Sequence, residues 1–438
     1  MNPLGWKRAP ELSLAQWDHY TALAAAARAD GLDRTLVCGM GGSSLAPQVL
    51  ASAGGSGLEV LDSTNPAAVR AAERAHDLAR TLLLIVSKSG TTIETLAFYR
   101  YFATRARADQ FIAITDPGSP LEALARDQHF RAIVPHPADV GGRYAALTAV
   151  GMLPAALMGL DGRTLLERAR AVDIPRAQAL GVRIAEAAQA GRDKLVLTPP
   201  ASVAALAHWI EQLVAESSGK DGRGVIPVVD DPVRAALPDA QTMGERDFSA
   251  APLDLGAEFL RWEYATEALC ERLGVNAFDQ PDVEEAKRLA RSELEGGIGA
   301  QHAAPLRTLT LADLRRQARP RDYFAILAYV PPDPSVIARL QQLRAAWGKA
   351  LGCATTLGIG PRYLHSTGQL HKGGPNTGLF LVITTDHGDD IEIPGMGRTF
   401  GALHHAQARG DVRALLARQR RVAHVHLASA ADIGQLQP

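Results

Sequence analysis

The chain has 438 residues, of which 47% are hydrophobic and 21% are charged, and its formal net charge is −1. At roughly 150 residues per domain, this length predicts two or three domains, and the composition is typical of a globular protein with a sizeable core. The nearly neutral charge argues against a nucleic-acid-binding protein, because such a protein needs a basic excess to neutralise phosphates.

The cysteines and the N-terminal sequence indicate where the protein works. Cys38, Cys270 and Cys353 are far apart and match neither a metal-binding spacing nor a disulfide framework, which predicts a reducing compartment. The first residues lack an apolar signal core, and no apolar run is long enough to span a bilayer. We therefore expect a cytoplasmic protein that binds neither membranes nor nucleic acid.

The chain alternates short apolar strands with helical stretches. Strands are predicted at residues 35–38, 58–61, 82–86, 111–115 and 132–134, then near 194–197 and at 224–229, 324–330 and 379–384, with a helix and a strand near 411–427. Strands separated by helices predict parallel, doubly wound sheets of an α/β protein.

This pattern divides into three regions. We predict a first domain at 1–165 that includes an N-terminal helical segment. Linker helices and a second domain follow at 166–291. A C-terminal α/β region at 292–438 is expected to complete the second domain and the active site.

Hydroxyl side chains cluster after the third predicted strand, at Ser87, Lys88, Ser89, Gly90, Thr91 and Thr92. Hydroxyls, a flexible glycine and the free N–H groups of a helix start, at the carboxyl end of a strand, suit a phosphate group. Serine, threonine and glycine are also ordinary turn and cap residues, so a purely structural loop is the alternative.

A second loop of this kind follows the first predicted strand and contains Gly39, Met40, Gly41, Gly42, Ser43 and Ser44. It lacks the Gly-Lys-Ser/Thr ending of a P-loop and the full glycine pattern of a dinucleotide site, which makes an NAD site a weak hypothesis. Two such loops after buried strands could meet on one ligand. We therefore expect a site for a phosphorylated small molecule.

Four motifs in order resemble the glucose-6-phosphate isomerase family, whose fold consists of two sugar isomerase (SIS) domains. SKSGTTIET at 87–95 is similar to the family's phosphate loop, and GGRYAALTAVG at 141–151 is similar to its glycine and arginine signature. AESSGK at 215–220 resembles the segment with the catalytic base, and GVNAFDQPDVEEAK at 274–287 resembles the signature that ends in an active-site lysine.

The tail, including 360–378, resembles most closely the isomerase half of bifunctional transaldolase/glucose-6-phosphate isomerase proteins. A transaldolase barrel needs roughly 250 further residues, and we expect it to be missing here. The family resemblance also implies a homodimer with sites near the subunit interface.

The resemblance implies an aldose-ketose isomerase that interconverts glucose 6-phosphate and fructose 6-phosphate through a cis-enediol(ate), without a metal or another cofactor. Glu216 would transfer the proton between C1 and C2, Arg143 would stabilise the enediolate, and Lys287 would act in ring opening. The implied substrate-binding residues are Gly41, Gly42, Ser43, Ser87, Lys88, Ser89, Thr91 and Thr92.

The ring-opening histidine is the least direct assignment. Conventional family members carry it between the glutamate and lysine motifs, but residues 220–287 contain no histidine. We assign the role to His365 in the tail, with His371 as the alternative or as a substrate-binding residue. His404 and His405 are neighbours, but no carboxylate or cysteine cluster completes a metal site in the sequence, so we predict none.

Alternatives remain open for the residues and for the function. Glu216 could pair with Lys220, and Lys287 could form a surface ion pair with Glu284 at i, i+3 spacing. The substrate could be a related anionic sugar, such as mannose 6-phosphate or a sulfonated sugar. A non-catalytic sensor of sugar phosphates with the same fold is a third possibility.

Overall fold

The structure is a computed structural model that describes residues 3–231, 237–295 and 306–438. Its helices are α1 (Ala9–Ala29), α2 (Gly42–Ser52), α3 (Pro66–Ala75), α4 (Ile93–Ala103), α5 (Pro120–Asp127), α6 (Ala149–Met158), α7 (Gly162–Arg170), α8 (Ile174–Gln189), α9 (Leu206–Ser218), α10 (Leu255–Leu273), α11 (Pro281–Glu295), α12 (Leu311–Arg316), α13 (Pro334–Leu351), α14 (Gly368–Gly373) and α15 (Phe400–Ala417). Its strands are β1 (Arg34–Gly39), β2 (Leu58–Leu61), β3 (Thr81–Val86), β4 (Phe111–Thr115), β5 (Ala132–Pro135), β6 (Lys194–Leu197), β7 (Ile226–Val229), β8 (Ala240–Met243), β9 (Tyr323–Tyr329), β10 (Ala354–Ile359), β11 (Gly378–Thr385), β12 (Glu392–Ile393), β13 (Arg398–Thr399) and β14 (Arg421–Leu427).

The first sheet has the order β2-β1-β3-β4-β5, and all its strands are parallel. β3 is buried along its whole length, as its continuous apolar sequence predicts for a strand covered by helices on both faces. β1 and β3 are neighbours, with Val37 opposite Leu84. Their carboxyl ends therefore lie side by side, and the glycine loop and the hydroxyl loop follow them at the same edge of the sheet.

The remaining large strands form two further parallel sheets, ordered β7-β6-β8 and β10-β9-β11-β14. The buried side chain of Arg344 joins them, because its guanidinium donates to Val229 O at 2.8 Å and to Thr355 Oγ1 at 2.9 Å. These sheets confirm the predicted α/β class with parallel sheets. β8 and β10 were absent from the prediction because their sequences, AQTM and ATTLGI, lack a long apolar run.

Close helix packing connects the regions on either side of residue 165. A Cβ on Gly181 of α8 would lie 1.9 Å from Ala265 O of α10, and a Cβ on Gly256 of α10 would lie 1.9 Å from Leu165 O of α7. Glycine thus allows α10 to touch both helices. The expected boundary between 165 and 166 falls inside α7, and the three domain limits stay predictions.

The described cysteines are free, and Cys38 and Cys270 are buried. Within the described ranges, none of the helices combines the length and the apolar character needed to cross a bilayer.

Candidate active site

A cavity of about 510 Å³ lies at the carboxyl ends of β1 and β3, a size typical of small-molecule sites. It is lined by all the predicted site residues except His371: Gly41, Gly42, Ser43, Ser87, Lys88, Ser89, Thr91, Thr92, Arg143, Glu216, Lys287 and His365. Segments that are far apart in the sequence therefore meet around one space.

The glycine loop forms one wall of this cavity through close backbone approaches. Gly41 has φ of +57°, and a Cβ there would lie 2.7 Å from His365 O. A Cβ on Gly42 would lie 2.0 Å from Gly142 O. A larger side chain at either position would push apart the segments that carry His365 and Arg143.

The hydroxyl loop forms a polar part of the cavity lining. Ser87 Oγ lies 2.9 Å from Thr92 Oγ1, and Ser89 Oγ lies 2.9 Å from Thr91 Oγ1. Thr92 precedes α4 and makes no side-chain hydrogen bond to the start of that helix. The first N–H groups of α4 and the exposed hydroxyl of Ser89 can therefore serve an anion.

Lys88 adds positive charge to this loop, and contacts with Asp116 and Ala138 fix its side chain. Its Nζ lies 2.5 Å from Asp116 Oδ2 and donates to Ala138 O at 3.1 Å. His136 Nδ1 lies 2.9 Å from the other Asp116 oxygen. Burial would raise the pKa of Asp116, but the hydrogen bonds from His136 and Lys88 lower it, so the carboxylate stays charged and fixes the lysine.

Glu216 lies in the last turn of α9, and it pairs with Arg143. Arg143 Nη1 is 3.2 Å from Glu216 Oε1, and Gln212 Nε2 donates to Glu216 Oε2 at 3.0 Å. The alternative partner, Lys220, instead lies 2.8 Å from Asp279 Oδ1. The carboxylate is therefore held between a guanidinium and an amide at the cavity wall.

Arg143 is itself fixed by the chain around it. Its Nε donates to Ser217 Oγ at 2.8 Å, and its Nη1 donates to Gln280 Oε1 at 3.0 Å. Its Nη2 donates to Ala277 O at 2.6 Å. A buried guanidinium with this many acceptors is a rigid, permanently charged group next to Glu216.

His365 pairs with a glutamate that the sequence prediction missed. His365 Nε2 lies 2.8 Å from Glu94 Oε1, and Gln407 Nε2 donates to the same oxygen at 2.7 Å. Burial would raise the pKa of Glu94, but the charge and hydrogen bond of His365 lower it. Glu94 lies within the SKSGTTIET motif, where an acidic residue in the first turn of an otherwise apolar helix was the available signal.

Lys287 lies on α11 at the cavity edge. Its Nζ is 2.9 Å from Glu284 Oε1, which is the i, i+3 pair considered as the alternative. Both side chains line the cavity, and the charge of Lys287 helps to lower the pKa of Glu94. Lys287 therefore forms the ion pair with Glu284 and also lines the cavity.

His371 does not line the cavity, so its predicted contact with a ligand there requires correction. Its imidazole is buried in α14, with Nδ1 3.0 Å from the hydroxyl of Tyr323. Burial and the nearby charges of Lys372 and Arg420 lower its pKa well below the usual range. The sequence spacing from His365 gave no indication that the intervening turn directs His371 into the core.

The side chains of His404 and His387 are in contact near the start of α15, with His404 Nδ1 3.2 Å from His387 Nε2. Among the residues described, no three or more His, Cys, Asp or Glu side chains are arranged to hold a metal ion. The expectation of a metal-free site stays a prediction.

Known proteins resemble this chain in sequence and in fold. Residues 24–221 match the phosphoglucose isomerase family model. A probable glucose-6-phosphate isomerase from Haloarcula marismortui is 33% identical over 301 residues, which cover 64% of this chain and 65% of the relative. The glucose-6-phosphate isomerase of Thermosynechococcus vestitus is 36% identical over 212 residues, which cover 42% of this chain and 40% of the relative.

A crystal structure of a glucose-6-phosphate isomerase from Chlamydia trachomatis aligns with a TM-score of 0.54 and 18% identity, over 66% of this chain and 74% of that one. Its similarity supports the fold. The parallel sheets, with a cavity at their strand ends, define an α/β protein of the SIS fold. The family-model match over residues 24–221 and the similarity to glucose-6-phosphate isomerases confirm the family resemblance. The chain spans 65% or less of the length of the first curated relatives it matches.

Proposed function

We propose that the protein is an aldose-ketose isomerase that interconverts glucose 6-phosphate and fructose 6-phosphate through a cis-enediol(ate). The observation that carries this proposal is the meeting of two different carboxylate pairs, Glu216 with Arg143 and Glu94 with His365, in the cavity that also contains the hydroxyl loop. A binding protein would need the loop but not two such pairs.

The phosphate is proposed to bind at the hydroxyl loop. The hydroxyls of Ser87, Ser89, Thr91 and Thr92, the N–H groups at the start of α4 and the charge of Lys88 suit a dianion. Binding there would fix the far end of the sugar, so that C1 and C2 extend towards Glu216.

Ring opening is proposed to involve His365, with Lys287 nearby. A base removes the proton of the anomeric hydroxyl while an acid protonates the ring oxygen, and the bond between the anomeric carbon and the ring oxygen breaks. Because Nε2 of His365 is hydrogen-bonded to the Glu94 carboxylate, Nδ1 is the nitrogen available for this proton transfer.

Isomerisation then moves one proton between neighbouring carbons. In the forward direction, Glu216 takes the proton from C2 of the open-chain aldose, and the electron pair forms the enediolate. The same carboxyl returns the proton to C1, while a proton moves from O2 to O1 to give the ketose. Arg143 keeps its proton throughout and stabilises the negative charge on the enediolate oxygens.

The residues of the proposed site line one cavity of this chain. The homodimer implied by the family remains a proposal, as does the cytoplasmic location.

Turnover is the direct test of the proposed function. The protein is incubated with fructose 6-phosphate and a chelator, and glucose 6-phosphate is detected by a coupled reaction. We expect saturable turnover without added metal. Saturable binding without turnover would instead support a sensor, and turnover of only mannose 6-phosphate or a sulfonated sugar would reassign the substrate.

A further inference from the structure

We propose that Gln407 and Thr64 are positioning residues that hold Glu94, and through it His365, in the geometry for ring opening. This inference rests on the proposed function, because it extends the His365–Glu94 pair to two buried residues, Gln407 at the cavity wall and Thr64 outside the cavity lining. Gln407 lies on α15, and Thr64 follows β2 in the first sheet.

Three hydrogen bonds connect Thr64, Gln407, Glu94 and His365 in that order. Thr64 Oγ1 donates to Gln407 Oε1 at 2.7 Å, and Gln407 Nε2 donates to Glu94 Oε1 at 2.7 Å. Glu94 Oε1 is also 2.8 Å from His365 Nε2. Thr64 is 0% exposed, Gln407 3% and Glu94 4%, so bulk water cannot replace these bonds.

The ionised Glu94 carboxylate at one end of this network determines which group donates in each hydrogen bond. An ionised carboxylate only accepts hydrogen bonds, so Gln407 must turn its NH₂ group towards Glu94. Its carbonyl oxygen then faces Thr64, whose hydroxyl can donate to it. The Glu94 carboxylate thereby selects the amide orientation of Gln407, and the Thr64 hydroxyl stabilises that orientation by donating to the amide oxygen.

This arrangement fixes the tautomer of His365. Glu94 accepts from Nε2–H, which leaves the lone pair on Nδ1 in the neutral imidazole. Without the Gln407 amide, Glu94 would lose one of the two donors on Oε1 and could rotate or take up a proton more readily. Rotation or protonation of Glu94 would each weaken its hydrogen bond with the Nε2–H group of His365.

The test compares variants that remove single links. Gln407→Leu removes the amide, Thr64→Val removes only the hydroxyl, and Thr64→Ser restores a hydroxyl. Gln110→Leu is the matched control, because Gln110 is equally buried and hydrogen-bonded, to Leu78 O and Thr81 O, but does not line the cavity. The measurements are kcat against pH with fructose 6-phosphate, the melting temperature, and the His365 tautomer by nitrogen-15 NMR, with His365→Asn used for assignment.

We expect Gln407→Leu to lower kcat about tenfold at neutral pH, as fits the loss of one hydrogen bond to a charged group. The acidic limb of the profile of kcat against pH should move to higher pH, because Glu94 takes up a proton more readily without the amide donor. The Nε2–H tautomer of His365 should lose population. Thr64→Val should produce smaller changes in the same direction, and Thr64→Ser should restore the wild-type profile. Gln110→Leu should change only the melting temperature.

The inference is overturned if Gln407→Leu and Gln110→Leu lower the melting temperature alike, with the pH profile and the tautomer unchanged. If Gln407→Leu does not fold, the Thr64→Val and Thr64→Ser pair decides by the same measurements, and equal behaviour of the two overturns the inference. If the wild-type protein isomerises no sugar phosphate, the proposed function fails, but the tautomer measurement still tests the network.

Discussion

Glu94 and Glu263 are both almost completely buried, but their surroundings favour opposite protonation states. At the cavity, burial opposes the charge of Glu94, and the charge and hydrogen bond of His365 nevertheless lower its pKa. In α10, burial raises the pKa of Glu263 well above the usual range, and neither carboxyl oxygen has a hydrogen-bond partner among the described residues. Burial alone therefore does not set the charge of a carboxyl group. The donors around it decide, and this molecule places them at the cavity.

The largest expected effect comes from a second cavity glutamate. Glu216→Gln should lower kcat about 10²- to 10⁴-fold with little change in KM, because the amide cannot carry the proton between C1 and C2. The measurement is steady-state kinetics with fructose 6-phosphate. Glu211→Gln is the control, since Glu211 lies on the same helix but does not line the cavity. A Glu216→Gln protein with near-normal kcat would remove this residue from the mechanism.

Glu94→Gln tests the charged member of the comparison. We expect kcat to fall about 10- to 100-fold, because a neutral amide holds the imidazolium form of His365 less strongly. The stability that the ionised carboxylate contributes is present above the unfolded pKa of glutamate, about 4.3, and is lost as the pH falls through the lower folded value. Urea unfolding of both proteins at pH 7 and pH 3 should show a larger wild-type advantage at pH 7 than at pH 3. An unchanged kcat would mean that Glu94 is only structural.

The glycine loop and the hydroxyl loop of the cavity could be predicted from the sequence, because each is contiguous and follows a recognisable strand. The apolar run of β3 and the hydroxyls of Ser87–Thr92 were enough to predict both the sheet and the loop. The partners of His365 could not be predicted in this way. Glu94 is 271 residues from His365, and Gln407 is 313 residues from Glu94, so only the packing of distant elements brings them together.

The error at His371 has a related cause. His365 and His371 belong to one tail motif, but a short helical turn separates them and places one at the cavity and the other against Tyr323 in the core. Residue type and spacing indicated that the tail supplies a histidine. They could not indicate which imidazole faces the ligand, because that depends on side-chain direction.

Glu263→Met tests the neutral member of the comparison. A carboxyl group with a raised folded pKa contributes stability that is fully present below about pH 4.3 and is lost as the pH rises through the folded value. Replacing it with an apolar side chain should therefore raise the free energy of unfolding by about 1–3 kcal/mol at pH 7, and by less at pH 4.

Urea unfolding at the two pH values measures this difference. Glu271→Met, at an exposed position of the same helix, is the control and should change stability by about 0.5 kcal/mol or less. Because Glu263 does not line the cavity, kcat should be unaffected. A large loss of kcat in Glu263→Met would break the distinction between a charged cavity and a neutral core carboxyl.

The smallest expected effect is at the hydroxyl loop, where no charged side chain is removed. Ser89→Ala should raise KM about 3- to 10-fold and leave kcat nearly unchanged, because the exposed Ser89 hydroxyl is one of several donors to the phosphate and water can replace part of its contact. Ser52→Ala, on α2 and outside the cavity lining, is the control. If KM did not change, the phosphate would bind elsewhere. If kcat fell instead, the loop would act on the transition state, and the two ends of the cavity would share the chemistry.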